Sequence, residues 1–480
     1  MKRLLPIIIV FAFLALGGYF LFNTATKDVV TGQAETPVSM DDQEGNKQEE
    51  LEKRSREEFL KTVDPKLGYV PTERIIEGER RAAELMSSLS NTPNAVTALT
   101  WTERGPNNIG GRTRGFIFDA NDATGNTVLA GGVGGGLWRS TNFLSGSPTW
   151  TRIASVSQNL AITTIAQDPV NIDTIYAGTG EGVGNADAIR GLGIYRSFDA
   201  GLTWTLLTAT TTGSVNVDNF NYVHKILVSP NHDIYAATSS RFCNRGGLMR
   251  SQDIGVNWSL VFGTQTGSCA TSLDTKVFDI ERSLSGDLWV ASSAPGVTNS
   301  GKIWRSPAGG TVGNVGTWVD KTPTGTWRRI ELACSPSDNN RVFALLQGAS
   351  NAVGGIRRTD DGAAVPAASW VSINNTTLWC DQGTSSSTDF SRNQAWYDLT
   401  LAIKSNDHNT IFVGGVDIMS SVNAGTATPT YTQITEWNPG WCAGTSYVHA
   451  DIHNIVYLPG SSTQFVVACD GGLFYTANGG

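Results

Sequence analysis

The chain is poor in charge and in histidine. Only 16% of its 480 residues are Asp, Glu, Lys or Arg, and there are five histidines. The formal net charge is −8 and no basic stripe is visible, so nothing is arranged to neutralise phosphates and a nucleic-acid partner is not expected. Lys and Glu, both good helix formers, gather before about residue 100 and thin out afterwards. Gly, Thr, Ser, Asn, Val and Trp dominate the remainder, which favours strands and turns. The run GGVGGG at residues 131–136 lacks the Gly-Lys-Ser/Thr ending of a phosphate loop, and no helix pattern follows it. It reads as a tight loop between strands, and no cofactor is expected.

At the N-terminus, Lys2 and Arg3 precede 19 uncharged, mostly apolar positions. That pattern fits an export signal, and its length overlaps the roughly 18 residues of a membrane span. Residues 1–25 are therefore expected to be a signal peptide or a membrane anchor, with export to the cell surface or medium in either case. Residues 26–72 form a charged linker with few apolar anchors. Residues 73–90, ERIIEGERRAAELMSSLS, have helical periodicity and are expected to form a helix.

Six cysteines in an exported chain suggest disulfides. Cys243–Cys269 and Cys380–Cys442 are the expected pairs, because all four lie in loop-like sequence. Cys334 and Cys469 sit in apolar strand patterns and read as buried thiols.

From residue 99 to residue 480 one unit recurs. An apolar strand ending in Ala or Gly is followed by a Gly-containing loop and a second strand: LWRS at Leu137, IYRS at Ile194, LMRS at Leu248, IWRS at Ile303, IRRT at Ile356, IMSS at Ile418 and LFYT at Leu473. Seven copies at intervals of roughly 50 residues predict an all-β propeller of about seven four-stranded blades. Two copies continue into S-x-D-x-G-x-[TN]-W, the Asp-box pattern: Ser197, Asp199, Gly201 and Trp204 in one, Ser251, Asp253, Gly255 and Trp258 in the other. Asp at the third position can accept backbone N–H groups within the turn, and Gly suits a positive φ. These residues are structural and say nothing about a reaction. Arg139, Arg196, Arg250, Arg305 and Arg358 recur at one position of the unit, which implies a repeated internal pairing. LTWTERGP, residues 99–106, resembles an outer strand that would close the ring, since the chain stops at FYTANGG within the seventh copy. A longer parent is the expectation.

The boxes, WTERGPNNIGGRTR and GTGEG…GLGIYRSFDAGLTW together resemble the BNR-repeat, sortilin-like exported proteins of Bacteroidota, over roughly residues 100–480. YVHADIH is similar to the HADQH of that group, whose members often carry a type IX secretion signal. The resemblance implies a sialidase-superfamily-like propeller whose relatives include sialidases, xyloglucanases, sortilin-type receptors and non-enzymes. In xyloglucanase-like relatives the first blade carries a catalytic Asp in a stretch like ARTDVGGAYR. AGGVGGGLWR places Val133 there, so that carboxylate is missing. GGRTRGF departs from the early arginine motif of sialidases.

Inner strands of a propeller begin at the channel mouth. Aligned by their endings, they bring Arg112, Arg114, His224, Arg328, Arg329, Tyr397, Asp398, His449, Asp451 and His453 to that face. Loops after the second strands add Glu181, Asp187, Arg190, Arg241, Asp417 and Asp470. If YVHADIHNIVYLP, residues 447–459, is a strand, its period of two puts His449, Asp451 and His453 on one side. A transition metal would need another ligand, with His224 the natural one, and the three remain weak metal candidates. Such convergence of unlike side chains at a concave face is a binding-site expectation. The first reading is a binder of a glycan or an extracellular protein. The alternative is a sialidase-like glycoside hydrolase, with the arginines gripping an anion, Glu181 or Asp451 as acid/base, and Tyr397 or Tyr447 beside it. Three arginine heads converging on one open pocket would favour hydrolysis; arginines paired internally would favour binding.

Overall fold

The computed structural model describes residues 53, 57, 60–68, 70–90 and 110–479, apart from residues 158–159, 184–187, 212–218, 241–244, 264–275, 294–299, 363–368 and 382. The expected export segment, most of the linker, the ring-closing stretch at 99–106, Asp187, Arg241 and the Cys243–Cys269 pair lie outside the described residues.

Seven antiparallel sheets follow one another along the chain, six of four strands and a seventh of three. Blade one runs Thr113–Phe118, Val128–Gly132, Gly136–Ser140 and Thr151–Arg152, and each later blade repeats that order. The seventh consists of Ile452–Tyr457, Phe465–Cys469 and Gly472–Thr476. Inner strands of consecutive blades touch in order, and Thr113–Phe118 of the first meets Ile452–Tyr457 of the last, which closes a seven-bladed propeller. The array of seven blades is therefore circular, and among the described residues the fold is all-β apart from a few short helical stretches and one long helix. That helix, Thr72–Ser90, lays Ile76 against the core between blades one and two, and its Glu79 accepts a 2.7 Å bond from Ser157 Oγ.

Each blade is covered on both faces by its neighbours, so its second strand is apolar almost throughout rather than alternating. Ile175–Thr179, Ile234–Ser239 and Val342–Gln347 are buried at every position. The Ala and Gly endings follow from the taper of the wedge. A Cβ on Gly131 would lie 2.4 Å from the carbonyl oxygen of Ile162 in the next blade, and one on Gly178 would lie 2.6 Å from Val223. Only a missing side chain lets adjacent sheets approach so closely.

The two S-x-D-x-G-x-[TN]-W turns are built alike. Asp199 accepts from Thr203 N at 2.8 Å and Ser197 Oγ at 2.7 Å, and Gly201, at φ +81°, donates to Ser197 Oγ. Asp253, Asn257, Ser251 and Gly255 reproduce this geometry. Trp204 and Trp258 each donate through Nε1 to the turn glycine carbonyl, which tucks the indole between blades. The recurrent arginines do pair internally in three blades: Arg250 with Asp233, Arg305 with Asp287 at 2.9 Å, and Arg358 with Asp360 at 3.0 Å. Arg196 departs from that pattern and donates to the carbonyl of Ile254 in the next blade.

Cys380 and Cys442 form a disulfide, while Cys334 and Cys469 are free. Cys469 is buried, and Cys334 is half-buried rather than enclosed.

Candidate functional site

All seven inner strands contribute to one central cavity of about 200 Å³. Arg114, Thr164, Lys225, Phe278, Glu331, Leu401 and His453 enter it in chain order, one from each blade. Such a lining cannot come from a single repeat. It exists because the ring brings unlike residues at equivalent positions to one axis.

At the mouth, Glu181 is fully enclosed between two arginines, with Arg114 Nε at 2.5 Å and Arg112 Nη2 at 3.1 Å. Arg112 Nη1 donates at 2.8 Å to the Tyr397 hydroxyl, which in turn donates to Asp470 at 3.0 Å. His453 Nε2 lies 2.6 Å from Asp470 Oδ1, and its ring stands edge-on to Tyr397. The Arg114 guanidinium also sits 4.9 Å over the Tyr397 ring, a cation–π contact. One connected network thus joins blades one, two and seven to the loop that precedes blade six.

Its protonation states follow from its surroundings. Burial pulls Asp470 upward, but His453, Tyr397 and Arg112 outweigh this and leave it below the usual carboxylate value. Burial, reinforced by Arg114, pushes His453 down to about 3, so the ring is neutral at pH 7. An ionised Asp470 can only accept, and Nε2 of His453 therefore carries the proton. Burial also raises the Tyr397 phenol well above its ordinary value, so it stays protonated.

Further down the channel, Lys225 bridges Asp279, at 2.5 Å, and Glu281. Arg329 binds Glu331 at 2.5 Å and the carbonyls of Trp396, Tyr397 and Leu399. Lys225, Asp279, Glu281 and Glu331 were not among the residues singled out from the sequence. Their signal was there: KVFDIER and IELAC place charges inside apolar inner strands, where only a partner makes burial tolerable.

Several expected site residues stand elsewhere or are otherwise occupied. Tyr447 is on the surface against Phe474, away from the network. Asp417 is buried beneath a loop lobe, bonded to Trp379 Nε1 and Thr435. Arg190 bonds Asn221 at 2.9 Å, and Arg328 bonds Asn351 at 3.1 Å. His224 lines the cavity but bonds Ser239 and leans on Phe278. Asp398 is 0% exposed, with neither carboxyl oxygen hydrogen-bonded, and burial followed by the charge of Asp451 pushes it well above the usual range.

The histidine stretch also differs from a continuous strand. Ser446–Tyr447 pairs in parallel with Thr435–Glu436, and regular blade structure begins only at Ile452. Asp451 lies between them at φ +66°, a left-handed conformation that breaks the period of two. His449 Nδ1 is 3.2 Å from the carbonyl of Ala450, Asp451 takes Gln394 at 3.5 Å, and His453 takes Asp470. The three do not converge on one point, and His224 is committed to another blade. Among the described residues no group of three or more His, Cys, Asp and Glu is placed to hold a metal ion.

The buried carboxyls make stability depend on pH. Burial drives Asp417 up to about 7, and burial, opposed by Arg329 and reinforced by the charge of Asp279, drives Glu331 up to about 7. Both are raised above their unfolded values, so their stabilising protonated form is lost as pH rises through about 7. Unfolded histidines titrate at about 6.5 while His224 and His453 are held neutral by burial in the fold, which adds an opposing slope around that pH. Comparison with Asp417→Asn isolates the carboxyl: from about pH 4 to 7 the wild-type stability from urea unfolding is expected to fall relative to that variant's, by at most about 1.4 kcal/mol per pH unit, and to change little above. A difference that stays flat or rises with pH would contradict this account.

A lobe rises beside the mouth, built from the hairpin Trp379–Asp381 and Thr384–Ser387 and from residues 434–451. Its disulfide and the Trp379–Asp417 bond fix it above blade six, where Asp417 follows the second strand as Glu181 and Asp470 do in theirs.

No protein-family model matches the chain, and no curated protein does. Solved structures of similar shape include YCF48 bound to D1 peptide, at 14% identity and a TM-score of 0.49 over 79% of this chain and 98% of that one. YCF48 from Cyanidioschyzon merolae is similar at 15% identity and 0.49, over 77% and 97%. An ancestral GH74 enzyme is similar at 15% and 0.49, over 77% of this chain and 48% of that one. None of these likenesses bears on what this chain binds or catalyses.

Proposed function

We propose that this chain is an exported β-propeller that binds a glycan or a protein at its channel mouth without cleaving it. The observation that carries the reading is the occupation of the mouth arginines. Arg112 and Arg114 are spent on Glu181, and Arg329 on Glu331 and three carbonyls, so among the described residues no set of three converges on an open anion pocket. Glu181 is enclosed and held by both arginine heads, which suits a structural counter-ion. The Tyr397 hydroxyl is directed to Asp470 and Arg112, away from a Tyr–Glu pair. What remains is a rigid, polar floor with half-buried His449, Asp451 and Gln394 around it, as a preorganised binding surface requires. The Cys380–Cys442 disulfide supports an oxidising compartment, in line with export.

The test pairs turnover with capture. Fluorogenic sialosides and xyloglucan should show no hydrolysis above background, while glycan or protein ligands retained by the wild-type chain should be lost or weakened in His449→Ala. Turnover that disappears in Glu181→Gln would overturn the reading in favour of a hydrolase.

A further inference from the structure

The lobe beside the mouth carries apolar surface that folding has not used. Trp441 is 50% exposed and Leu378 51%, yet the loop that presents Trp441 is held tightly. The Glu436 carboxylate accepts the backbone N–H groups of Gly440, Trp441 and Cys442 at 2.6, 3.1 and 2.7 Å. Gln433 bonds both the N–H and the carbonyl of Cys380, and the disulfide joins Cys380 to Cys442. Trp437 is fixed behind it, donating to Asp381 at 3.3 Å beneath the Arg392 guanidinium. An indole left half in water keeps apolar surface that a ligand can cover. Holding it rigidly there removes the ordering cost that a ligand would otherwise meet.

The chemistry of the surroundings selects the ligand. Across residues 374–388 and 437–450, Asp381 is the sole charged side chain; the rest are aromatic, Asn, Gln, Thr, Ser, Gly and other neutral residues. The Arg392 guanidinium over Trp437 is paired with that Asp381 at 3.6 Å, so a phosphate, an acidic peptide or an anionic membrane would have to compete for a cation already neutralised. Ring faces for C–H surfaces, with neutral amides and hydroxyls beside them, match a sugar that presents one apolar face and a rim of hydroxyl groups. We propose that this disulfide-stapled lobe binds a neutral oligosaccharide, with Trp441 as its stacking platform. The proposal deepens the mouth-binding reading by naming the ligand class and adds a contact surface beside it.

The test titrates the full chain with a panel of neutral hexasaccharides (cello-, laminari-, manno- and xyloglucan-derived), read by indole fluorescence and calorimetry. At least one should bind. Trp441→Ala should weaken that binding at least tenfold with an unchanged thermal midpoint, and Trp441→Phe should recover most of it. Absence of binding across the panel, retention of only a protein ligand, or binding indifferent to Trp441→Ala would overturn the proposal. A neutral glycan lost in His449→Ala but kept in Trp441→Ala would overturn the lobe while leaving the mouth reading intact.

Discussion

Replacing Glu181 with Ala should destabilise the propeller by about 3–5 kcal/mol, the cost of leaving buried charges without their partner. The side chains of Arg112 and Arg114 are 17% and 9% exposed and converge on this one carboxylate. Without it the two guanidiniums face each other with little water to screen them. Blade two would lose its ionic tie to blade one, and through Arg112 the Tyr397–Asp470–His453 chain would lose one of its supports. Urea and thermal midpoints measure the loss. A double variant, Arg114→Met with Glu181→Met, should recover much of it, because removing both members of a buried pair costs far less than removing one. A loss under about 1 kcal/mol in the single variant would show the pairing to be incidental.

The second large effect concerns the disulfide. Cys380 and Cys442 are 62 residues apart in sequence, and closing a loop of that length restricts the unfolded chain by about 4 kcal/mol. The double variant Cys380→Ser, Cys442→Ser should lower the unfolding midpoint accordingly. Its local consequence is more telling. The bond spans blade six, from the hairpin before it to the loop after it, so its loss should free the segment that presents Trp441. At short exchange times the rise should be confined to residues 437–447, while the middle strands of the blades, which open only with the whole fold, stay protected. Uniform exchange across the chain would place the effect in the whole fold instead.

Features confined to a short stretch of chain were legible in the sequence. The Asp199 and Asp253 turns close their hydrogen bonds within four residues, so spelling and geometry coincide. Seven returns of one strand unit announced the ring, because a sheet that cannot bury itself must stack on copies of itself. The presence of Arg112, Arg114, Glu181, Tyr397, Asp470 and His453 on one face also followed from aligning the units. Their use did not follow. Arg114 and Glu181 are 67 residues apart and Arg112 and Tyr397 285, and which head meets which depends on ring radius and rotamer. The same limit hid the lysine bridge of the channel, where Lys225 and Asp279 lie 54 residues apart. It also hid the positive φ of Asp451, which local spelling does not announce for a non-glycine residue and which redirected the histidine stretch. The sequence by itself determined the repeat, its turns and the list of polar groups at the axis. Only the closed ring decided how those groups neutralise one another, since charges in a narrow, poorly solvated channel must find partners across blades before a ligand can have them.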